Sequence, residues 1–265
     1  MKVSVTGSRG LIGSHVKNRL EAENHEVVEW DNKLGKDIKD FNLQQDIDAV
    51  IHLAAWADVR ASIDNPEAYW ENNVVNTTAI QKICHSSHVP LFYASSSCIH
   101  NWWLSPYGIS KKVNEETAYS NIAHGIHQVG LRFTTVYGEG ARETMLIPRL
   151  LNNNVKYFTR HIRDFIHVND VVDVIMLLID KSFNPEKYPG VSLKPSYDIG
   201  TGKGYAIDEI GTWTGHINPA SSFPVTDGDA CEAEDNTADI SPLQELGWNP
   251  TIDLKNYLED KGAIV

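Results

Sequence analysis

The chain has 265 residues, of which 42% are hydrophobic and 22% charged, a composition that fits one large globular domain with at most a modest appendage and excludes a disordered or fibrous protein. Its formal net charge of -12 makes it a poor general binder of DNA, RNA or anionic membranes, because such binding depends on an excess of cations. The three cysteines, Cys84, Cys98 and Cys231, are odd in number and far apart, so a disulfide framework is not expected.

Short apolar strands alternate with amphipathic helices through the first half of the chain. The predicted strands are Val3–Thr6, Val27–Trp30, Ala49–Leu53, Leu91–Ala94 and Gly130–Phe133, and the predicted helices are Leu11–Glu23, Pro66–Cys84 and Tyr107–Ala123. This alternation is typical of a parallel sheet whose two faces are both covered by helices. We therefore predict a doubly wound α/β fold.

The second half of the chain is less regular. Its predicted features are, in order, an apolar helix over Val171–Ile179 with Asn169 or Asp170 as its N-cap, a stretch rich in Pro and Gly over Asn184–Pro195, a loop over Gly200–Gly204 and a short helix over Ala206–Trp213. Residues 227–239 are rich in Asp, Glu and Ala, and we interpret them as a solvated loop.

A glycine-rich loop, Gly7–Gly13, joins the first strand to the first helix with the spacing G-x-x-G-x-x-G. Such a loop lets backbone amides approach a pyrophosphate, and the helix N-terminus adds positive partial charge. Asp31 ends the second strand, where a carboxylate can accept hydrogen bonds from an adenosine ribose. We predict NAD rather than NADP, since Asp31 would repel a 2′-phosphate, although Arg9 in the loop favours NADP.

Tyr107 and Lys111 are one helical turn apart, so an ammonium group can stabilise a phenolate and make it a general base. Tyr257 and Lys261 have the same spacing, but we interpret them as part of a polar surface helix. Tyr107 differs because its helix follows a strand that ends in Ser95–Ser97, and the carboxyl ends of parallel strands face the ligand crevice. A serine there could hydrogen-bond the oxygen that Tyr107 deprotonates.

These motifs resemble those of the extended short-chain dehydrogenase/reductases, specifically the NAD-dependent nucleoside-diphosphate-sugar epimerases and dehydratases. The matching segments are Thr6–Gly13, Asp31-Asn32, Asp37-Ile38, His52–Ser62, Pro66, Asn72–Val74, Ser95–Ile99, Tyr107–Lys111, Leu131–Gly138, Ile147–Arg149, Arg163–Val171, Tyr197–Gly202 and Leu246–Pro250. They cover nearly the whole chain, and the resemblance is closest to the UDP-galactose (UDP-glucose) 4-epimerases and their relatives.

The resemblance implies two domains. An NAD-binding Rossmann domain is expected over residues 1–138, completed by segments 164–182 and 196–202, and a small nucleotide-sugar-binding α/β subdomain is expected mainly over residues 139–265. The implied partner is a nucleoside-diphosphate sugar, most often a UDP-hexose in the family. The resemblance also implies a homodimer formed through the helices Pro66–Cys84 and Tyr107–Ala123.

The resemblance also implies roles for individual residues. The implied catalytic residues are Ser96, Tyr107 and Lys111. The implied cofactor-binding residues are Gly7, Arg9, Gly10, Leu11, Ile12, Gly13, Asp31, Asn32, Asp37, Ile38, Leu53, Ala54, Ala55, Ala57, Asn72, Ser95, Tyr107, Lys111 and Phe133. The implied substrate-binding residues are Ser96, Ser97, Thr135 and Arg163, of which the arginine matches a family residue that contacts the substrate's diphosphate.

The two residues that follow the implied catalytic serine differ from those of related lyases. Ser97 and Cys98 stand where the family's dehydratases carry an acidic pair and its decarboxylases a glutamate. Cys98 also matches a cysteine of GDP-fucose synthases, but Thr144–Leu146 lacks the histidine that those enzymes pair with it. We therefore interpret Cys98 as a small buried thiol behind the serine.

The expected sugar pocket is smaller than in the family, and it lacks one cation. Ser96 and Tyr107 are only 11 positions apart, and Thr135 replaces a family asparagine. The second phosphate-binding arginine is absent from Thr226–Asp229. Its candidate replacements are Arg149, Arg160 and His161.

The expected function is an NAD-dependent epimerase of the UDP-glucose 4-epimerase type. The alternatives are an NAD(P)-dependent keto-sugar reductase, a dehydratase or decarboxylase, and a non-catalytic NAD-binding protein. We predict no metal site. Because no apolar run approaches the roughly 18 residues of a membrane span and the sequence enters a strand at once, we expect a cytoplasmic protein.

Overall fold

The computed structural model describes residues 1–122, 127–190, 192–220 and 222–264. A six-stranded parallel sheet forms its centre. Its strands are β1 (Lys2–Thr6), β2 (Glu26–Trp30), β3 (Ala49–His52), β4 (Leu91–Ser96), β5 (Gln128–Phe133) and β9 (Ser196–Ile199). They lie side by side in the order β2-β1-β3-β4-β5-β9. The prediction of a doubly wound α/β fold is confirmed.

Helices cover both faces of this sheet. They are α1 (Leu11–Ala22), α2 (Val59–Asp64), α3 (Pro66–Tyr69), α4 (Thr77–Ser87), α5 (Pro106–Ile122) and α7 (Val168–Phe183). Successive strand residues point to opposite faces, so Phe92 packs in the core with α1 and α7, whereas Leu91 and Tyr93 pack with Ile80 and Ala118 of α4 and α5. Because both faces of the sheet are covered, most strand positions are apolar on either face, as in Leu91–Tyr93.

The helix predicted over Pro66–Cys84 is interrupted. Pro66 begins α3, as expected for a residue with no amide hydrogen to donate, and a π-helical segment, Trp70–Asn76, joins α3 to α4. A π segment shifts the faces of a helix, and an apolar pattern at helical spacing does not reveal it. Ala123, the predicted end of a second helix, lies outside the described residues, as does Val191 of the Pro- and Gly-rich stretch.

The predicted N-cap of the apolar helix was wrong. Strand β8 (Ile162–His167) runs directly into α7, so the cap is His167, whose Nδ1 accepts a hydrogen bond from the Asn169 amide at 3.2 Å. The carboxylate of Asp170 instead accepts hydrogen bonds from the backbone amides of Thr251 and Ile252. Asp170 therefore ties α7 to the segment before the C-terminal helix.

A smaller α/β unit lies beyond β5. Its elements are β6 (Thr135–Tyr137), α6 (Leu146–Leu151), β7 (Phe158–Thr159), β8, β10 (Gly204–Ala206), α8 (Ile207–Trp213), β11 (Val225–Thr226) and α10 (Leu254–Asp260). Helix α9 (Ser241–Gln244) instead packs through Leu243 in the core of the central sheet. Strand β8 lies between β6 and β10, and Tyr137, Phe158, Phe165 and Tyr205 belong to a core of their own. The division into two domains at residue 138 stays a prediction. Among the described residues, no helix is long and apolar enough to cross a membrane.

Candidate active site

The glycine loop forms a tight cradle at the carboxyl end of β1. Gly7 has a positive φ of 67°, and a Cβ there would lie 2.7 Å from the Ala54 amide nitrogen. A Cβ on Gly13 would lie 2.8 Å from the Gly7 carbonyl carbon. Gly10 caps α1 with no side-chain hydrogen bond, which leaves the first amides of the helix available to an anion.

Substitution of Gly13 by alanine is expected to destabilise the protein by about 2 kcal/mol, because the new methyl group overlaps backbone that cannot move without opening the loop. Binding of NAD should be lost in the same variant. Urea unfolding and titration with NAD measure the two effects. Gly10→Ala is the matched control for stability alone, since its Cβ would meet only the Gly7 carbonyl oxygen at 3.2 Å.

Asp31 lies against the glycine loop, as predicted. Its carboxylate accepts hydrogen bonds from the amides of Arg9 and Lys33, each at 2.9 Å. The Arg9 guanidinium pairs with Glu29 at 2.8 Å, so the cation that favoured NADP already has a carboxylate partner. Both observations favour NAD.

The other cofactor candidates surround this crevice. The segment after β3 contains Leu53, Ala54, Ala55 and Ala57, and the segment after β2 contains Asn32, Asp37 and Ile38. Helix α1 begins with Leu11 and Ile12, the π segment contains Asn72, and β5 ends at Phe133. The Ser95 hydroxyl faces the opposite side of β4 and donates to Glu115 Oε1 at 2.6 Å, although its backbone borders the crevice. The roles of all these residues stay predictions.

The fold brings Ser96, Tyr107 and Lys111 together. Ser96 ends β4, its hydroxyl accepts from the Cys98 amide at 3.2 Å, and it lies close enough to Tyr107 to lower the pKa of that phenol. Lys111, one turn further along α5, donates to the Ala94 carbonyl at 2.8 Å, and its Nζ lies 5.7 Å from the centre of the Tyr107 ring. Tyr107 is only 7% exposed and Lys111 is 2% exposed, so the cluster is almost fully buried.

Burial dominates the titration of this cluster. It raises the pKa of Tyr107 well above its ordinary value, against a hydrogen bond from Ser96 and the charge of Arg142, which lower it. Burial also lowers the pKa of Lys111 to about 8. We predict from the sequence that Lys111 lowers the pKa of Tyr107 toward neutral pH. In the protein by itself this does not occur, because the loss of hydration on burial outweighs the attraction of a lysine that packs over the ring.

Lys111→Met is expected to lower kcat by about a hundredfold and yet leave the protein as stable as the parent at pH 7, or more so. The lysine pKa falls from 10.5 unfolded to about 8 folded, so the burial penalty is fully present below pH 8 and disappears as the pH rises to 10.5. Denaturant unfolding from pH 7 to 10.5 should therefore show the parent gaining stability relative to Lys111→Met. A constant difference between the two proteins would contradict the buried cation.

Cys98 lies next to Ser96, in the 3₁₀ segment that follows β4, and its amide donates to the Ser96 hydroxyl at 3.2 Å. It is half-buried and close enough to interact electrostatically with Lys111 and Arg163. Burial raises the pKa of its thiol, so it carries a proton at neutral pH. This burial agrees with the interpretation of Cys98 as a small buried thiol, and its position behind the serine stays a prediction.

Aromatic rings and one cation extend the site beyond the phenol. Tyr69 packs edge-to-face between Trp56 and Tyr107, with ring centres 5.4 and 6.4 Å apart. Arg142, from the loop after β6, lowers the pKa of both tyrosines by its charge. Our sequence analysis missed Arg142, because nothing in the spacing of an irregular loop links it to Tyr107.

The predicted substrate residues line the other wall. The hydroxyls of Ser97 and Thr135 lie 3.5 and 3.4 Å from the side-chain nitrogen of Asn236. Arg163, on β8, donates to the Glu232 carboxylate at 2.8 Å and to the Ala233 carbonyl. The interpretation of residues 227–239 as a solvated loop was wrong for Glu232, which is half-buried in ion pairs that composition alone cannot show.

A second arginine holds the same carboxylate. Arg60, at the start of α2, donates to Glu232 at 2.8 Å and to the Tyr157 hydroxyl at 2.8 Å. Two of the candidate replacements for the missing family arginine have different carboxylate neighbours. Arg160 pairs with Asp227, and the His161 Nδ1 lies 3.6 Å from Glu232. Our sequence analysis missed Arg60, although it lies within the matching segment His52–Ser62.

Comparisons with known proteins agree with this geometry. The model of the NAD dependent epimerase/dehydratase family matches residues 3–102 and 103–191. "Protein CapI" of Staphylococcus aureus is 30% identical over 76% of this chain and 78% of its own length, and a putative UDP-glucose 4-epimerase of Methanocaldococcus jannaschii is 27% identical over 97% and 96%. A solved structure of MoeE5 with UDP-glucose and NAD is 28% identical, covers 98% of this chain and 97% of its own, and has a TM-score of 0.82.

Proposed function

Because the chain belongs to the NAD dependent epimerase/dehydratase family, we propose that it is an NAD-dependent epimerase that inverts C4 of a UDP-hexose. The observation that carries the proposal is the cluster of Ser96, Tyr107 and Lys111 at the carboxyl end of β4. Relatives named as UDP-glucose 4-epimerases support the reaction, and MoeE5, solved with UDP-glucose and NAD, supports the substrate class.

The residues of the crevice fit NAD, the cofactor of this family. A side chain at Gly7 or Gly13 would fill the cradle, and the Asp31 carboxylate lies beside it for a ribose without a 2′-phosphate. Uncapped amides at the start of α1 provide the place for a diphosphate. When bound, NAD supplies a reversible acceptor for the hydrogen at C4 of the sugar.

The chain's own residues handle the proton. Tyr107 removes the proton of the sugar 4-hydroxyl, and the Ser96 hydroxyl holds that oxygen through a hydrogen bond that strengthens as charge develops. Lys111 and Arg142 are the nearby cations of the chain that favour the phenolate. After the oxidised sugar has turned in the pocket, Tyr107 returns the proton to the oxygen on the other face.

Incubation of the protein with UDP-galactose tests the reaction. We expect UDP-glucose to form with no net consumption of NAD, and mass spectrometry of the freshly purified protein to find retained NAD. Reduction of a UDP-4-keto-hexose with external NADPH, without conversion of UDP-galactose, would instead identify a keto-sugar reductase. Loss of water from UDP-galactose, or of CO2 from a UDP-uronic acid, would identify a lyase, which the uncharged Ser97 and Cys98 disfavour.

A UDP-uronic acid is a second candidate substrate, and Arg142 is the observation that favours it. Its positive charge acts on the Tyr107 phenol, so a carboxylate at C5 of the sugar could lie within its reach. MoeE5 has also been solved with UDP-glucuronic acid and NAD. Parallel assays with UDP-galactose and UDP-galacturonic acid would separate the two, since Arg142→Gln should impair conversion of the second substrate much more than conversion of the first.

We propose in addition that the protein is a homodimer in which the helices of one protomer pack on those of its partner. The predicted interface helices carry exposed apolar side chains, Trp70 and Val75 in the π segment and Tyr119 in α5. Sedimentation velocity would test it, since a monomer at micromolar concentration would contradict the proposal.

A further inference from the structure

Two arginines from distant parts of the chain share one carboxylate. Arg60 Nε lies 2.8 Å from Glu232 Oε1, and Arg163 Nη2 lies 2.8 Å from Glu232 Oε2. Asp229 adds a second carboxylate 2.6 Å from Arg60. A set of two cations on a small anion is the arrangement that binds a phosphate group, but here the anion belongs to the protein.

This ion cluster adjoins the catalytic cluster. Cys98, which hydrogen-bonds with Ser96, interacts electrostatically with both Arg163 and Glu232. A cleft of about 280 Å³, lined by Arg60 and Asp229 of the cluster, opens between Tyr157 and the loop at Gly228. The ion cluster therefore adjoins both the residue next to the serine that would hold the sugar and an open cleft.

We propose that Glu232 is an internal competitor that occupies, between Arg60 and Arg163, the place of the substrate's diphosphate. The proposal rests on the proposed function, since it assigns the two arginines to a nucleoside-diphosphate sugar. It also assigns the missing second cation of the diphosphate site to Arg60, on α2, rather than to the Arg149, Arg160 or His161 that sequence reasoning suggested. Substrate binding then displaces Glu232, and the Asp229–Asp235 loop that carries it, from the arginines.

The charges of the cluster agree with this competition. Burial opposes ionisation of Glu232, but the two arginines outweigh it and hold the pKa of its carboxyl below the usual range, so it is an anion at neutral pH. Burial lowers the pKa of His161, which adds no charge. Two guanidinium groups facing two carboxylates leave no excess positive charge, and a diphosphate gains strong attraction only when Glu232 has moved away.

The test is calorimetric titration of the NAD-loaded protein with UDP, repeated with inorganic pyrophosphate. Glu232→Gln is expected to tighten UDP binding by about tenfold, because removal of a competing ionic hydrogen bond frees both arginines. Arg60→Gln should weaken it by about tenfold. The matched controls remove the same charges nearby: Glu234→Gln on the same loop and Arg160→Gln beside exposed Asp227 should each change the affinity by less than about twofold.

Each outcome decides the proposal. If Glu232→Gln binds UDP no more tightly than the parent, or Arg60→Gln binds it equally well, Glu232 is not a competitor. If neither UDP nor pyrophosphate binds any variant, there is no diphosphate site and the proposal is overturned. If binding follows the expected order while no UDP-sugar is converted, the proposed function fails and the competition stands. Should Arg60→Gln unfold, Arg60→Lys serves instead, since it keeps the charge and loses the forked contacts to Glu232 and Tyr157.

Discussion

Replacement of Tyr107 by phenylalanine is expected to lower kcat for UDP-galactose by about a thousandfold, with little change in KM. In the proposed mechanism the phenol carries the proton of the 4-hydroxyl, and general acid–base catalysis contributes about two to four powers of ten. Because the ring stays in place, the free energy of unfolding should fall by no more than about 1 kcal/mol, for the polar interaction of the phenol with Ser96.

Tyr257→Phe is the matched control for this experiment. Tyr257 also precedes a lysine by four residues, and Lys261 Nζ lies 5.6 Å from its ring, nearly the separation of 5.7 Å between Lys111 and Tyr107. The C-terminal pair packs beside Tyr137 and His167, away from Ser96, and should have no effect on turnover. Equal activity of both variants and the parent would contradict the acid/base role.

Glu115→Gln is expected to destabilise the protein by about 3 kcal/mol, the largest stability effect that we predict. Glu115 is 1% exposed, and its carboxylate receives a forked pair of hydrogen bonds from Arg132, at 2.8 and 2.7 Å, together with the Ser95 hydroxyl at 2.6 Å. An amide oxygen can accept at one of the two positions, but the amide NH2 cannot accept at the other, so one bond is lost and Asp198, 3.5 Å away, is left as the carboxylate partner of the half-buried guanidinium.

The neighbouring residue provides the control. Glu116 makes an exposed ion pair with Lys112 one turn earlier on α5, and Glu116→Gln should cost less than about 0.5 kcal/mol. Urea unfolding of both variants at pH 7 measures the difference. Similar losses in the two would mean that the Glu115–Arg132 pair does not anchor α5 behind the catalytic strand.

The parallel sheet was predictable from the sequence because its strands are short, apolar and separated by helices. The positions of the glycine loop, Asp31, Ser96 and the Tyr107–Lys111 pair follow from the same pattern, since each comes directly after a strand or opens the next helix. The carboxyl ends of parallel strands lie at one edge, so residues far apart in sequence had to meet there.

The features that sequence reasoning missed depend on contacts between irregular segments. Glu232 lies in an acidic loop whose composition resembles solvated chain, yet Arg60 and Arg163 hold it from positions 172 and 69 residues away. Arg142 reaches the Tyr107 phenol from a loop with no periodic pattern. The raised pKa of Tyr107 was equally hidden, because it depends on how much water the folded cluster excludes.

The most direct test of the account follows the hydrogen at C4. UDP-galactose deuterated at C4 should be converted by the NAD-loaded protein, in ordinary water, into UDP-glucose that keeps the deuterium at C4, as read by mass spectrometry and proton NMR. That result would show that the hydrogen leaves and returns within the closed site while Tyr107 moves only the hydroxyl proton. Replacement of the deuterium by hydrogen from water would contradict it.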